Sequence, residues 1–398
     1  MRKSIRTYLL SEEEQLVQPS PYTPGETARE IPGRETQLTD ITGLLGRVAL
    51  EGRFAGRVRV DVGPRGVGKT SLLRRAQRTA HDLGLASVFV TAGNGTLTAV
   101  IADEVHQLTR AWGHGDVLTE RVSQVKLSAG VPGVGHLELT GRQRPAPEAT
   151  RAFRELIAHT AQAAAQDGDH RGVLLLIDEL QAADPDSLRT IAYAWQELQA
   201  SDSPVPAALL AAGLSHTPDV VTRAVTHAER FQYRPMRDLE PHETREALTA
   251  PSAALGVSWT TDALTAVVER AQGYPYFVQV YGDEAWHAAG NPDAGGQLTL
   301  ADVNAAQERV EVDLTELYRT RWARATARER DILTAMANHP EGPVPRRAIA
   351  ERLRVGTTAL SMARQSLLDK GILDAPAHGM LQFTVPGFGA YVRSLTTN

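Results

Sequence analysis

The chain has no cysteine, which excludes disulfides and thiolate metal sites. Its 12 histidines include no H-E-x-x-H pattern, so a zinc hydrolase of that kind is not expected. No G-x-S-x-G occurs either, which removes the usual serine-hydrolase signature. Nowhere does an apolar run reach the roughly 18 residues of a membrane-spanning helix. The opening stretch "MRKSIRTYLLSEEEQ" holds an apolar run of only three residues, Tyr8 to Leu10. That is too short for the apolar core of a secretory signal. These absences lead us to expect a cytoplasmic protein with no membrane contact.

Lysine is scarce as well. Four of the 42 basic residues are lysines: Lys3, Lys69, Lys126 and Lys370. The plain reading of most of the arginines is coding bias from a GC-rich genome. Lys69 stands out because it lies in a glycine-rich loop. Arginine is a poor substitute there, since a compact ammonium must fit between phosphates.

What is present describes an ordinary globular chain. With 398 residues, 42% hydrophobic and 22% charged, it is long enough for two or three domains of about 150 residues each. The net charge of −5 is unevenly spread. Residues 321–398 carry 11 basic and 6 acidic side chains, against 31 and 41 in the remainder. An acidic body with a basic tail domain points to a polyanion as partner of the tail.

Residues 1–30 are polar and contain "PSPYTPGE", which reads as an extended N-terminal arm. Over 31–236 buried-strand runs alternate with helical patterns. "RVRVDV", "LASVFVT", "GVLLLIDEL" and "PAALLAAGL" are strands, and "RFQYRP" is an edge strand. That alternation predicts a doubly wound α/β domain with a parallel sheet. One helix is expected over "TLTAVIADEVHQLTRAW". A hairpin or insertion is expected over 126–141, "KLSAGVPGVGHLELTG". Residues 237–320 read as an all-helical lid domain, and 321–398 as a separate C-terminal domain.

The chemistry concentrates in "GPRGVGKT", residues 63–70. Gly63, Gly68, Lys69 and Thr70 match G-x-x-x-x-G-K-[ST] between a strand and a helix. Glycines let several backbone N–H groups point at one phosphate cluster, and the helix N-terminus adds its dipole. Lys69 reaches the β- and γ-phosphates, and Thr70 offers a hydroxyl to Mg²⁺. Nucleotide contacts are expected from Gly63, Pro64, Arg65, Gly66, Val67, Gly68, Lys69, Thr70 and Ser71. A second acid is needed at the end of a neighbouring strand. Asp178 supplies it after the apolar run "VLLLI", to hold Mg²⁺, and Glu179 would orient or deprotonate the attacking water.

Taken together these motifs resemble the AAA+ ATPases, specifically an origin-recognition-like subgroup related to the STAND signalling ATPases. "GPRGVGKT" resembles the Walker A loop and "LLLIDEL" the Walker B strand. "IPGRE" resembles the box before the first helix, which implies that Arg34 lies near the adenine of ATP. "LLAAGLSH" occupies the place of the sensor 1 strand, and "GYPYFVQVYGDEAW" (273–286) resembles the lid helix of the subgroup. "AERF" lies where such enzymes carry an arginine finger, which implies that Arg230 acts across a subunit interface. The chain departs from this pattern twice. Gly213 and Leu214 stand first after the sensor 1 strand, with Ser215 and His216 behind, and "GYPYF" has no sensor 2 arginine. The departures imply slow hydrolysis, suited to a switch.

The C-terminal domain reads as helix, helix, helix, hairpin, helix, similar to a winged helix. A capping box is expected at Thr326 and Glu329. The third helix, "TTALSMARQSLLDKG", is expected to be capped by Thr357 or Thr358 and stopped by Gly371. It should bury Leu360, Ala363, Leu367 and Leu368, and expose Thr357, Ser361, Met362, Arg364 and Gln365. A recognition helix of this kind would read duplex DNA, with Arg346, Arg347, Arg352 and Arg354 on phosphates. The expectation is therefore an ATP- and Mg²⁺-dependent ATPase switch that binds DNA. The alternative is a STAND-like scaffold whose winged helix docks protein, with self-association in either case.

Overall fold

The apolar runs set between helical segments assemble as a parallel sheet in the computed structural model, which describes residues 18–27, 31–112, 115–129, 147–166, 170–201, 205–225, 228–340 and 342–396. The elements of the α/β part are, in order, α1 (Glu35–Glu51), β1 (Val58–Val62), α2 (Lys69–Asp82), β2 (Ala86–Thr91), α3 (Leu97–Ala111), α4 (Gly115–Ser128), α5 (Pro147–Gln166), β3 (Val173–Asp178), α6 (Pro185–Gln199), β4 (Ala207–Gly213), α7 (Thr217–Ala224) and β5 (Phe231–Pro235). The five strands run parallel in the order β2-β3-β4-β1-β5. "RFQYRP" is an edge strand, as expected. Every residue of β1, β3 and β4 is buried, as a sheet covered on both faces requires.

Two details depart from the sequence reading. A helix, α4, follows the expected α3 and packs against α3 and α5. It buries Leu118, Val122 and Val125, spaced along one helical face. Lys126 to Ser128 belong to this helix rather than to a hairpin, and residues 130–141 of the expected hairpin lie outside the described residues. The second departure is in β1. Its alternation puts Val58, Val60 and Val62 on one face and Arg59 and Asp61 on the other. Arg59 binds Asp61 with two hydrogen bonds, of 3.0 and 2.9 Å. Both side chains are buried. Burial raises the Asp61 carboxyl above its ordinary range, and Arg59 opposes that shift.

The chain divides into two compact units, Arg34–Arg237 with Trp322–Asn398, and Met1–Gly33 with Asp238–Arg321. The second unit contains α8 (Pro241–Ala254), β6 (Ser258–Trp259), α9 (Thr261–Ala271), α10 (Pro275–Ala288), β7 (Gln297–Leu298) and most of α11 (Leu300–Ala323). The all-helical expectation needs correction here, because β6 and β7 pair in parallel over two residues each. So short a pairing leaves no alternating pattern to read. Residues 18–27 form no helix or strand but pack into this unit. The Tyr22 hydroxyl donates to the Leu248 carbonyl and accepts from Trp259 Nε1. The Tyr22 ring meets Trp259 and Trp286 edge-on at 6.3 and 6.4 Å. The expected boundary at 320/321 and the observed one at 321/322 both fall inside α11.

The last elements are α12 (Ala327–Ala337), β8 (Val344–Pro345), α13 (Arg346–Arg352), α14 (Ser361–Asp369), β9 (Leu373–Asp374), β10 (Met380–Phe383) and α15 (Phe388–Thr396). The three strands form an antiparallel sheet in the order β8-β10-β9. The capping box at Thr326 and Glu329 is present. Lys370 Nζ adds bonds of 2.8 and 2.6 Å to the two Glu329 oxygens. A 3₁₀ turn, Thr357–Leu360, precedes α14, which carries no threonine side-chain cap.

Candidate functional site

The phosphate loop joins the C-terminal end of β1 to the first turn of α2. Gly68 holds φ +91°, a left-handed backbone that side chains rarely adopt. Gly63 is confined by a close approach: a Cβ there would lie 2.5 Å from the Met236 carbonyl oxygen. Lys69 opens α2 and is buried. Its Nζ donates to the carbonyls of Gly63 (2.9 Å) and Pro64 (2.6 Å), folding the side chain back over the loop. Burial lowers the Lys69 ammonium to about 8, although the neighbouring Glu179 and Asp178 carboxylates favour its charge.

β4 lies between β1 and β3, so Asp178 is two strands from the loop. Thr70 nevertheless reaches it: the Thr70 hydroxyl donates to Asp178 Oδ2 at 2.7 Å. The other carboxylate oxygen accepts from the Glu179 N–H at 2.9 Å. A hydroxyl and a carboxylate side by side are hard oxygen donors, and this pair fits Mg²⁺ held together with nucleotide phosphates. Among the described residues no group of three or more His, Asp or Glu side chains forms a separate metal site. Glu179 follows Asp178 with a left-handed backbone, φ 54° and ψ 41°.

Other expected residues fall into place unevenly. Arg34 is buried, and its Nη2 donates to the carbonyls of Val67 (3.1 Å) and Arg237. It braces the loop from behind. Arg230 ends a 3₁₀ turn just before β5. β5 pairs in parallel with β1 from Val58↔Phe231 to Val62↔Pro235. Arg230 therefore sits at the opposite end of the sheet from the loop, about 20 Å away along the strand. It does not join the site within its own chain.

Two features carried no signal in the sequence. Gln181 donates through Nε2 to Glu179 Oε2 and accepts through Oε1 from the Leu214 N–H at 2.9 Å. The end of α14 also lies against the site. A Cβ at Gly371 would meet the Arg65 side chain at 3.1–3.2 Å. His216 Nε2 lies 3.1 Å from Asp369 Oδ1, outside hydrogen-bonding geometry. Burial lowers the His216 imidazole, and Asp369 opposes the shift. Helix α14 itself buries Leu367 and Leu368, and leaves Ser361 and Met362 exposed, as expected. Arg364 and Gln365 are not exposed as expected, and Ala363 is not buried as expected; all three are half-buried. Arg364 has Arg346, Asp219 and Arg223 near enough to act on its charge.

Residues 30–210 match the family described as the AAA ATPase domain. Residues 315–392 match a family described as a domain of unknown function, DUF8462. No curated protein matches the chain in sequence. A Walker-type ATPase of Pyrococcus abyssi is 14% identical, with 95% of this chain and 99% of that chain covered and a TM-score of 0.55. Cdc6p from Pyrobaculum aerophilum is 16% identical over 95% and 96% of the two chains, with a TM-score of 0.48. The RuvB Holliday junction branch migration motor of Thermotoga maritima is 15% identical over 93% and 99%, with a TM-score of 0.47. At its identity the first of these is a likeness of fold. The nucleotide-site geometry and the AAA ATPase match agree on a P-loop ATPase core.

Proposed function

We propose that the protein is a slowly hydrolysing ATPase whose nucleotide state sets the position or freedom of a C-terminal winged helix. The observation that carries this reading is one short segment, Asp369 to Gly371. It lies against Arg65 of the phosphate loop and against His216, three residues beyond the end of β4. These are two places where a γ-phosphate would alter local structure.

In this reading the loop N–H groups and Lys69 hold the β- and γ-phosphates. Thr70 and Asp178 hold Mg²⁺, which would neutralise charge on the phosphates. Glu179 orients and deprotonates the attacking water. Arg34 keeps the loop in shape through its bond to the Val67 carbonyl. Gly213 offers no sensor side chain, and Arg230 stands far from its own loop, so turnover is slow unless a second copy supplies Arg230. Nucleotide must bind the two states unequally to shift them.

The output surface is α14 with β9 and β10, which we read as recognition helix and wing. Duplex DNA is the expected partner, on the strength of the basic C-terminal region and an exposed helix start at Thr357, Thr358 and Ser361. A protein partner is the second reading. Met362 is 88% exposed on that face. Arg346 also spends its donors on Thr357 and Ser361, and Arg347 on Glu351. Fluorescence anisotropy with labelled duplex, in ATP, ADP or no nucleotide, separates the two. DNA binding predicts nucleotide-dependent affinity that falls steeply with salt. No binding in any state, or salt-independent binding, assigns the surface to protein.

A further inference from the structure

β4 ends at Gly213, where a polar side chain would be expected to contact the γ-phosphate. A side chain there has no room. A Cβ on Gly213 would lie 2.3 Å from Thr217 Oγ1 and 3.0 Å from Gln181 Oε1. The space beside the strand end is thus filled by Thr217, which opens α7, and by Gln181 from the neighbouring strand's turn. Gln181 reaches it from the 3₁₀ turn Leu180–Ala182, which follows β3.

The Gln181 amide has one consistent orientation. Its oxygen accepts from the Leu214 N–H, and its nitrogen donates to the Glu179 carboxylate. The reverse orientation would set oxygen against carboxylate and NH₂ against N–H. Glu179 meanwhile holds a left-handed backbone, which a non-glycine residue keeps only when its surroundings impose it. Its N–H bonds to Asp178 and one carboxylate oxygen bonds to Gln181. Two anchors therefore fix the group that would take a proton from water.

We infer that Gln181 is a positioning residue for Glu179, and that it ties the candidate base to the end of β4 in place of a sensor side chain at Gly213. The inference rests on the ATPase reading above. One oxygen of Glu179 is held by Gln181, which leaves the other for the water. A displacement of the turn after β4 on nucleotide binding would reach the Glu179 carboxylate through this amide.

The test uses the full chain with Gln181→Glu and Gln181→Leu. Glutamate is isosteric and, when ionised, still accepts from the Leu214 N–H, but it sets a second negative charge beside Glu179 in place of an N–H donor. Leucine loses both bonds. The expected result for Gln181→Glu is a kcat lower by roughly 10- to 100-fold, with unchanged ADP affinity and melting temperature. A purely structural role, supporting Leu214, would leave Gln181→Glu at the wild-type rate and slow only Gln181→Leu. That outcome overturns the inference. In single turnover, a Glu179→Gln background should show no further loss from either substitution, because coupled residues are non-additive. Wild-type protein without any hydrolysis would overturn the ATPase reading and this inference together. Hydrolysis that needs Glu179 but ignores Gln181 would overturn the inference alone.

Discussion

The hydroxyl of Thr70 donates to a carboxylate oxygen of Asp178 across 2.7 Å, although 108 residues separate the two in the chain. The bond spans from the start of α2 to the end of β3, past the intervening β4. It joins the two expected Mg²⁺ ligands. Asp178→Asn keeps a hydrogen-bonding partner for Thr70 but removes the charge a divalent cation needs. We expect Mg²⁺-dependent tightening of ATP binding to fall by roughly 10- to 100-fold. Titration calorimetry with and without Mg²⁺ checks this, and equal Mg²⁺ effects in wild type and variant would count against the assignment.

Lys69 gives a pH signature. Burial holds its ammonium at about 8. Bound phosphates would restore its charge and raise that value. Binding then takes up a proton wherever the free protein has lost one, so affinity falls as pH rises. The expected slope is about tenfold per pH unit above 8, with little contribution from this group below 7. Lys69→Met should bind weakly without that slope. Calorimetry in buffers of different ionisation enthalpy reads the proton uptake directly.

The buried pair on β1 bears on stability. Arg59→Met would leave Asp61 buried beneath the sheet with its bidentate partner gone. Removing one member of a buried ion pair costs about 3–5 kcal/mol. We expect chemical denaturation to show a loss of that size. Replacing Arg59 and Asp61 together by apolar residues should recover much of it.

Contacts between the end of α14 and the nucleotide site predict a mutant that binds but does not signal. Asp369→Ala removes the carboxylate beside His216 and touches no expected nucleotide contact. ATP affinity should stay within about twofold of wild type, while the difference in partner binding between ATP and ADP states shrinks. Partner titrations in both nucleotides test this, and an undiminished difference would rule out the Asp369 contact as the route.

Local chemistry was legible in the sequence. That the loop glycines, Lys69, Thr70 and Asp178 come together was legible from residue types at fixed spacing, and the Lys69 and Thr70 bonds bring them together. Thr326 and Glu329 announced a capping box for the same reason. What stayed hidden depends on contacts between distant segments. The sequence "RVRVDV" does not say that Arg59 and Asp61 share a buried face. Nothing in "DELQ" marks Gln181 as the partner of both Glu179 and Leu214. Arg364 read as exposed because helical periodicity describes one helix alone, whereas its burial depends on what α7 brings alongside. Tyr22 lay in a proline-rich stretch that reads as an arm, yet it packs between Trp259 and Trp286.

The most direct measurement is amide hydrogen exchange across residues 361–384 in ATP, in ADP and without nucleotide, using Glu179→Gln to hold the ATP state. The account predicts that exchange around Asp369 to Asp374 differs between ATP and ADP, together with exchange in the phosphate loop and the turn after β4. Protection that changes at the loop but stays identical across 361–384 in all three states would contradict it.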